Sequence, residues 1–83
     1  MGIFEKEKVT FEPNCRVRDD GLVECNPIIR EELPDGAVLE RKARAVLKPQ
    51  GGNLYYGLTL EGDARALEEL ERFFMKRKTK IVK

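Results

Sequence analysis

The segment from Cys15 to Cys25 constrains the fold more than any other part of the sequence. Two short runs that mix apolar and charged residues flank an Asp-Asp-Gly triplet at 19–21. Glycine in the third loop position suits the left-handed backbone of a three-residue hairpin turn. That turn sets Val17 opposite Val23 and the two cysteines opposite each other. A two-residue turn would instead set Val17 and Cys25 opposite charged residues. The sequence therefore predicts a β-hairpin with a three-residue loop.

The two cysteines of this hairpin have two open interpretations. One is a cross-strand disulfide or a redox switch. The other is a pair of small buried apolar residues, and the usual reduced state of cytoplasmic thiols favours it. The spacing of Cys15 and Cys25 is not the C-x-x-C of a zinc or redox site, and the sequence has no second pair.

A longer hairpin is predicted in the middle of the chain. Apolar residues alternate with small or polar ones over residues 54–61, and turn-forming residues occupy 49–53. Residues 37–48 fit one face of a strand and also a helical stripe. Because a turn joins them to a strand, we expect strands over about 38–48 and 54–61. A helix over 37–48 is the alternative.

A C-terminal amphipathic helix is predicted over residues 64–78. Asp63 is a suitable N-cap, and Leu67, Leu70 and Phe74 fall on one helical face. Acidic residues in the first half and basic residues at the end complement the helix dipole.

The remaining segments complete the predicted domain. Asn26-Pro27 favours a short helical turn that ends before Pro34. Short strands are expected at 9–11 and 79–83. The sequence thus predicts a single α+β domain over residues 1–83. It has a mostly antiparallel sheet covered by the C-terminal amphipathic helix, plus one short helical turn.

The composition excludes several classes of function. The chain has no histidine, and its two cysteines are its only strong nucleophiles. Most metal-hydroxide, serine-triad and cysteine-protease mechanisms need an imidazole, so we expect a non-enzymatic protein. A charged fraction of 37% with few amide side chains is typical of thermophile proteins. Since no leader or apolar run of membrane length occurs, we expect a cytoplasmic protein without a membrane partner.

Clustered carboxylates suggest weak calcium binding. Two glutamates in a helical turn, followed by an aspartate in a Pro-Asp-Gly turn, can bring oxygen ligands to one ion. No EF-hand pattern is present, and solvated surface carboxylates are the alternative interpretation. The predicted metal ligands are Glu31, Glu32 and Asp35, joined by Asp19 and Asp20 if these lie nearby.

A nucleotide or nucleic-acid binding module is the alternative function. Five basic residues near the C-terminus can contact phosphate, and a tyrosine on a strand can stack on a base. A favourable helix end and a solubilising tail would explain the same charges. The residues of this prediction are Tyr55, Tyr56, Lys76, Arg77, Lys78, Lys80 and Lys83.

Two resemblances add expectations. The strand 43–47, a glycine turn, the strand 56–60 and a leucine-rich helix resemble the closing part of PilZ domains. The resemblance implies a β-barrel that binds cyclic di-GMP, although the Asp-x-Ser-x-x-Gly and arginine motifs of that family are absent. The size, charge and lack of histidine are also similar to a small uncharacterised archaeal α+β protein with a suspected calcium affinity. That similarity implies calcium as a cofactor.

Overall fold

The structure, a computed structural model, describes residues 8–83. Residues 1–7, which belong to the predicted domain, lie outside the described residues. The predicted α+β class is confirmed, with one helix packed on a mostly antiparallel sheet. The elements are β1 (Lys8–Glu12), β2 (Cys15–Val17), β3 (Val23–Cys25), β4 (Ile28–Glu32), β5 (Val38–Gly51), β6 (Leu54–Gly62), α1 (Ala64–Lys76) and β7 (Lys80–Val82).

Strand β5 organises the sheet because its 14 residues pair with three other strands. On one side its first part pairs with β4 and its middle pairs with β3. On the other side it pairs with β6. Strand β1 extends the sheet beyond β4, and β2 extends it beyond β3. Strand β7 returns parallel to β6, so β6, α1 and β7 form a crossover unit.

Both predicted hairpins are confirmed. In the first, Cys15 pairs with Cys25 and Val17 pairs with Val23, and Gly21 has the left-handed φ of 86° that the loop requires. The paired cysteines have Cα atoms 4.0 Å apart and form a disulfide, so the prediction that favoured reduced thiols is wrong. In the second hairpin, residues 38–51 form a strand and not the alternative helix.

The predicted helical turn after Asn26-Pro27 is wrong, because residues 28–32 form strand β4. This strand pairs along both edges, with β1 on one side and β5 on the other. Two ladders of backbone hydrogen bonds stabilise the segment more than one capping interaction does. The β-branched side chains of Ile28 and Ile29 also favour a strand. The local cap signal is therefore overridden by non-local pairing.

Helix α1 closes the core from one face of the sheet. It ends two residues earlier than predicted, at Lys76, and Asp63 caps its beginning as predicted. The Asp63 carboxylate accepts hydrogen bonds from the backbone N–H groups of Arg65 and Ala66. The predicted final strand is confirmed as β7. The buried core residues are Val23, Cys25, Ala45, Leu47, Leu70, Phe74 and Ile81 in one cluster, and Ile29, Ala43 and Ala66 in another.

Candidate ligand-binding cleft

A cleft of about 240 Å³ opens between the edge strand β2, strand β6 and the last turn of α1. The hairpin contributes Cys15, Val17 and Val23 to it. Tyr55 enters from β6 because the period-two alternation of that strand turns it towards the helix, where it packs against the core. The cleft therefore forms where three separate parts of the sequence meet.

Three aromatic rings line the cleft. Phe73 and Phe74 lie on the inner face of α1, with ring centroids 6.0 Å apart. Tyr55 meets Phe74 edge-on, with centroids 5.4 Å apart and ring planes at 83°. Such tilted and edge-to-face arrangements are the preferred geometries of aromatic pairs.

Arg77 supplies the positive charge of the cleft. Its guanidinium carbon lies 4.0 Å from the centroid of the Phe73 ring, which is a cation–π contact. The contact arises because residues four apart on a helix are neighbours. Among residues 8–83, no carboxylate forms an ion pair with Arg77. The guanidinium is thus positioned by an aromatic ring and keeps its charge available to a ligand.

Arg16 also borders the cleft, but its guanidinium belongs to the opposite face of the sheet. There it lies 3.5 Å from Glu24, a carboxylate that Arg18 and Arg44 also approach. Because its guanidinium pairs with Glu24 on that face, Arg16 adds little charge to the cleft itself. Arg77 is therefore the cation that matters at this site.

The edge of β2 that faces away from β3, to which no other strand among residues 8–83 pairs, adds backbone hydrogen-bonding groups. Asn26 donates its N–H to Asn14 O, and Arg18 donates to Leu22 O. Hydrogen-bonded and non-hydrogen-bonded residue pairs alternate along an antiparallel ladder. The Cys15–Cys25 and Val17–Val23 pairs, each next to one of these hydrogen-bonded pairs, are therefore non-hydrogen-bonded. The N–H and C=O groups of Cys15 and Val17 therefore point away from β3, towards the edge of the sheet.

The tyrosines and basic residues of the nucleic-acid prediction are only partly brought together. Tyr55 and Arg77 share the cleft. Tyr56 points to the other face of β6, where it pairs in register with Val82 of β7. Lys78 and Lys80 line a separate shallow depression, Lys76 ends α1, and Lys83 forms an ion pair with Glu71 at 3.4 Å.

Sequence reasoning missed Phe73 as a site residue. The signal that could have found it is the spacing of Phe73 and Arg77, four residues apart on a predicted helix. No comparable signal marks the backbone groups of β2, because their exposure depends on which strands pair.

The predicted calcium ligands do not converge. Glu31 and Glu32 are adjacent on a strand and so point to opposite faces. Glu31 lies 3.7 Å from Arg41 and 3.8 Å from Arg65. The Asp35 carboxylate accepts a hydrogen bond from the N–H of Ala37 within its own turn.

The other two acidic residues lie at the far end of the sheet. Asp19 and Asp20 occupy the β2–β3 turn, close to Leu47 of β5, which pairs with Val23. Asp35 lies in the turn before β5, which begins at Val38. Val38 and Leu47 are nine residues apart along the strand, which corresponds to about 30 Å. Within residues 8–83, no three acidic or cysteine side chains are placed to hold one metal ion. Calcium binding stays a prediction from the sequence, and among residues 8–83 its predicted ligands do not form one cluster.

Among residues 8–83, two carboxyl groups have a lowered pKa: Glu40, mainly through its hydrogen bond with Arg30, and Asp63. The backbone N–H of Ala66 lowers the pKa of Asp63, and hydrogen bonding and charge from Arg41 add to the effect. Arg41 Nη1 lies 3.2 Å from Asp63 Oδ2. This carboxylate therefore serves the helix start and the packing of β5, and not the cleft.

Comparisons with known proteins give no relative on which to base a function. No family model matches the chain, and neither a curated protein nor a solved structure matches it. In the part of the chain that the structure describes, no helix has the length and apolar character of a membrane span.

Proposed function

We propose that this protein is a non-enzymatic nucleotide-binding module whose cleft takes one nucleobase. The single observation that carries the proposal is the cation–π contact of Arg77 with Phe73 at 4.0 Å, without an acidic partner among residues 8–83. A guanidinium carbon 4.0 Å from a ring centroid is close enough for a cation–π contact, and its N–H donors can bind an anion. A nucleotide combines both chemistries in one ligand.

The size of the cleft supports a single ring as the buried group. Sites for drug-sized ligands usually have volumes of about 300–1,000 Å³, whereas this cleft has about 240 Å³. We therefore place a base inside it and the sugar and phosphate at its mouth. Base–aromatic stacking contributes about 1–3 kcal/mol per base, which gives weak to moderate affinity for one nucleotide.

The edge of β2 supports recognition of the base by hydrogen bonds. Adjacent outward-pointing C=O and N–H groups, from Cys15 and Val17, offer one acceptor and one donor side by side. The edge of a nucleobase carries complementary donors and acceptors. Contacts of this kind favour a base over an aromatic ring that lacks polar edges.

The same chemistry occurs in a free nucleotide and in a single-stranded nucleic acid. Amide NMR titrations with adenosine monophosphate and with an eight-residue oligouridylate distinguish them. We expect both ligands to shift the amides of Tyr55, Phe73 and Arg77. A nucleic-acid function predicts additional shifts at Lys78 and Lys80 with the oligonucleotide, and an affinity that falls steeply with added salt.

Two results would contradict the proposal. One is an absence of saturable shifts with either ligand up to about 5 mM, a concentration at which a total binding free energy of about 3 kcal/mol gives nearly half-saturation. The other is a set of shifts confined to the lysines, because simple charge attraction would explain it without the cleft.

A further inference from the structure

The disulfide borders the cleft, and only one of its two cysteines is accessible from solvent. Cys15 is exposed on the edge strand β2. Cys25 has no exposed surface and belongs to the apolar core. Cys15 also lines the cleft to which Arg77 brings a positive charge. A thiolate arriving from solvent can therefore reach the sulfur of Cys15 alone.

We propose that Cys15 is a thiol-exchange site for small anionic thiols, and that the exchange loosens the wall of the cleft. The attacking thiolate forms a new S–S bond with Cys15 Sγ. The Cys15–Cys25 bond breaks, and its electron pair leaves on Cys25 Sγ, which takes a proton from water. A second thiol then displaces Cys15 from the mixed disulfide. Two small thiols are thereby oxidised to one disulfide, and the protein disulfide is reduced to two thiols.

Strand β2 depends on the disulfide because its other anchors are few. It has three residues and lies at the edge of the sheet, and among residues 8–83 it pairs with β3 alone. Val17 is 75% exposed, so it buries little apolar surface. The Arg16–Glu24 pair is 3.5 Å long with a largely exposed guanidinium, and such pairs contribute little. Once the disulfide opens, we expect β2 to separate from β3 readily.

This loosening would regulate the proposed nucleotide site, and that consequence rests on the proposed function. Cys15 and Val17 form one wall of the cleft, and their backbone groups face the predicted base. When β2 moves away, both the wall and those hydrogen bonds are lost. Reduced protein is therefore expected to bind the nucleotide more weakly than oxidised protein.

The test treats the oxidised protein with glutathione, which is anionic, and with cysteamine, which is cationic, at equal thiolate concentrations. Alkylation and peptide mapping by mass spectrometry then locate the mixed disulfide. We expect the adduct on Cys15, formed about fivefold faster by glutathione because one nearby charge contributes about 1 kcal/mol. The variant Arg77→Ala should reduce this preference. The matched control Arg72→Ala, an exposed helix residue paired with Glu69, should keep it.

Hydrogen exchange supplies a second readout. In fully reduced protein, the Arg16 amide should exchange about tenfold faster or more, while the amides of α1 keep their protection. Adducts on Cys25, equal rates for the two thiols, or unchanged exchange in β2 would each overturn the inference. None of these readouts needs a bound nucleotide. If no nucleotide binds, the proposed function fails while these measurements still decide the thiol-exchange site.

Discussion

Replacing Gly62 with alanine tests how strand β6 leads into the helix. Gly62 has a φ of 105°, a conformation that costs a residue with a side chain about 1–2 kcal/mol. An added Cβ would also lie 2.7 Å from Ala43 Cα and 2.8 Å from Lys42 O, both of them backbone atoms. Moving packed backbone to relieve such overlap costs about 1–3 kcal/mol. We therefore expect Gly62→Ala to lower the free energy of unfolding by about 2–5 kcal/mol.

The matched control is Gly36→Ala in the β4–β5 turn. Gly36 has a similar φ of 91°, but an added Cβ would meet no atom within 4 Å. Its loss should be limited to the backbone strain of about 1–2 kcal/mol. The smaller unfolded-state entropy of alanine affects both variants alike. Urea unfolding followed by circular dichroism gives both free energies. Equal losses for the two variants would refute the close approach of Gly62 to β5.

Three further predictions concern the core, the helix cap and calcium. Leu70 is 1% exposed, so Leu70→Ala should destabilise the domain by about 2–5 kcal/mol in the same assay, and a loss below about 1 kcal/mol would contradict its central position. The pKa of Asp63 is lower in the folded state than in the unfolded state, so its carboxylate stabilises the fold fully above the unfolded pKa, and this stabilisation is lost as the pH falls through the folded pKa. Asp63→Asn should therefore reduce the fall of Tm at acidic pH. An unchanged fall of Tm would contradict the assignment. For calcium, the distance between the acidic turns predicts that amides in 19–24 and 31–36 respond independently in an NMR titration, and one shared dissociation constant near or below about 1 mM would contradict this.

The hairpin of Cys15 and Cys25 shows what local sequence can determine. The glycine in the loop and the period of two along each strand fix which residues face each other, so the register followed from side-chain matching alone. The state of the two thiols did not follow from the same pattern. The expectation of a cytoplasmic protein favoured reduced cysteines, because thiols are usually reduced in the cytoplasm. The structure instead joins them by a disulfide.

The failed helical turn shows what local sequence cannot determine. Asn26-Pro27 carries cap chemistry that acts within four residues, but β4 is stabilised by partners at 8–12 and 38–42. The calcium prediction inherited this error, since adjacent glutamates converge in a helical turn and diverge in a strand. The structure therefore does not bring Glu31 and Glu32 together in the way that a helical turn would.

The cleft could be predicted only in part. Tyr55 and Arg77 were both singled out from the sequence, but for different contacts. Their shared position depends on how the end of α1 packs between β6 and the first hairpin, which is a non-local arrangement. The separation of Tyr55 from Tyr56, in contrast, follows directly from the alternation of side chains along a strand.

The affinity of Arg77 variants for adenosine monophosphate tests the central claim most directly. Wild type, Arg77→Ala, Arg77→Lys and the control Arg72→Ala would be compared by NMR titration at one fixed salt concentration. A guanidinium that stacks on the base and binds phosphate should contribute about 1.4 kcal/mol or more, so Arg77→Ala should weaken binding about tenfold or more. Arg77→Lys should recover only part of this loss, because lysine keeps the charge but not the planar stack. Equal dissociation constants for wild type and Arg77→Ala, or equal losses in Arg77→Ala and Arg72→Ala, would contradict the account.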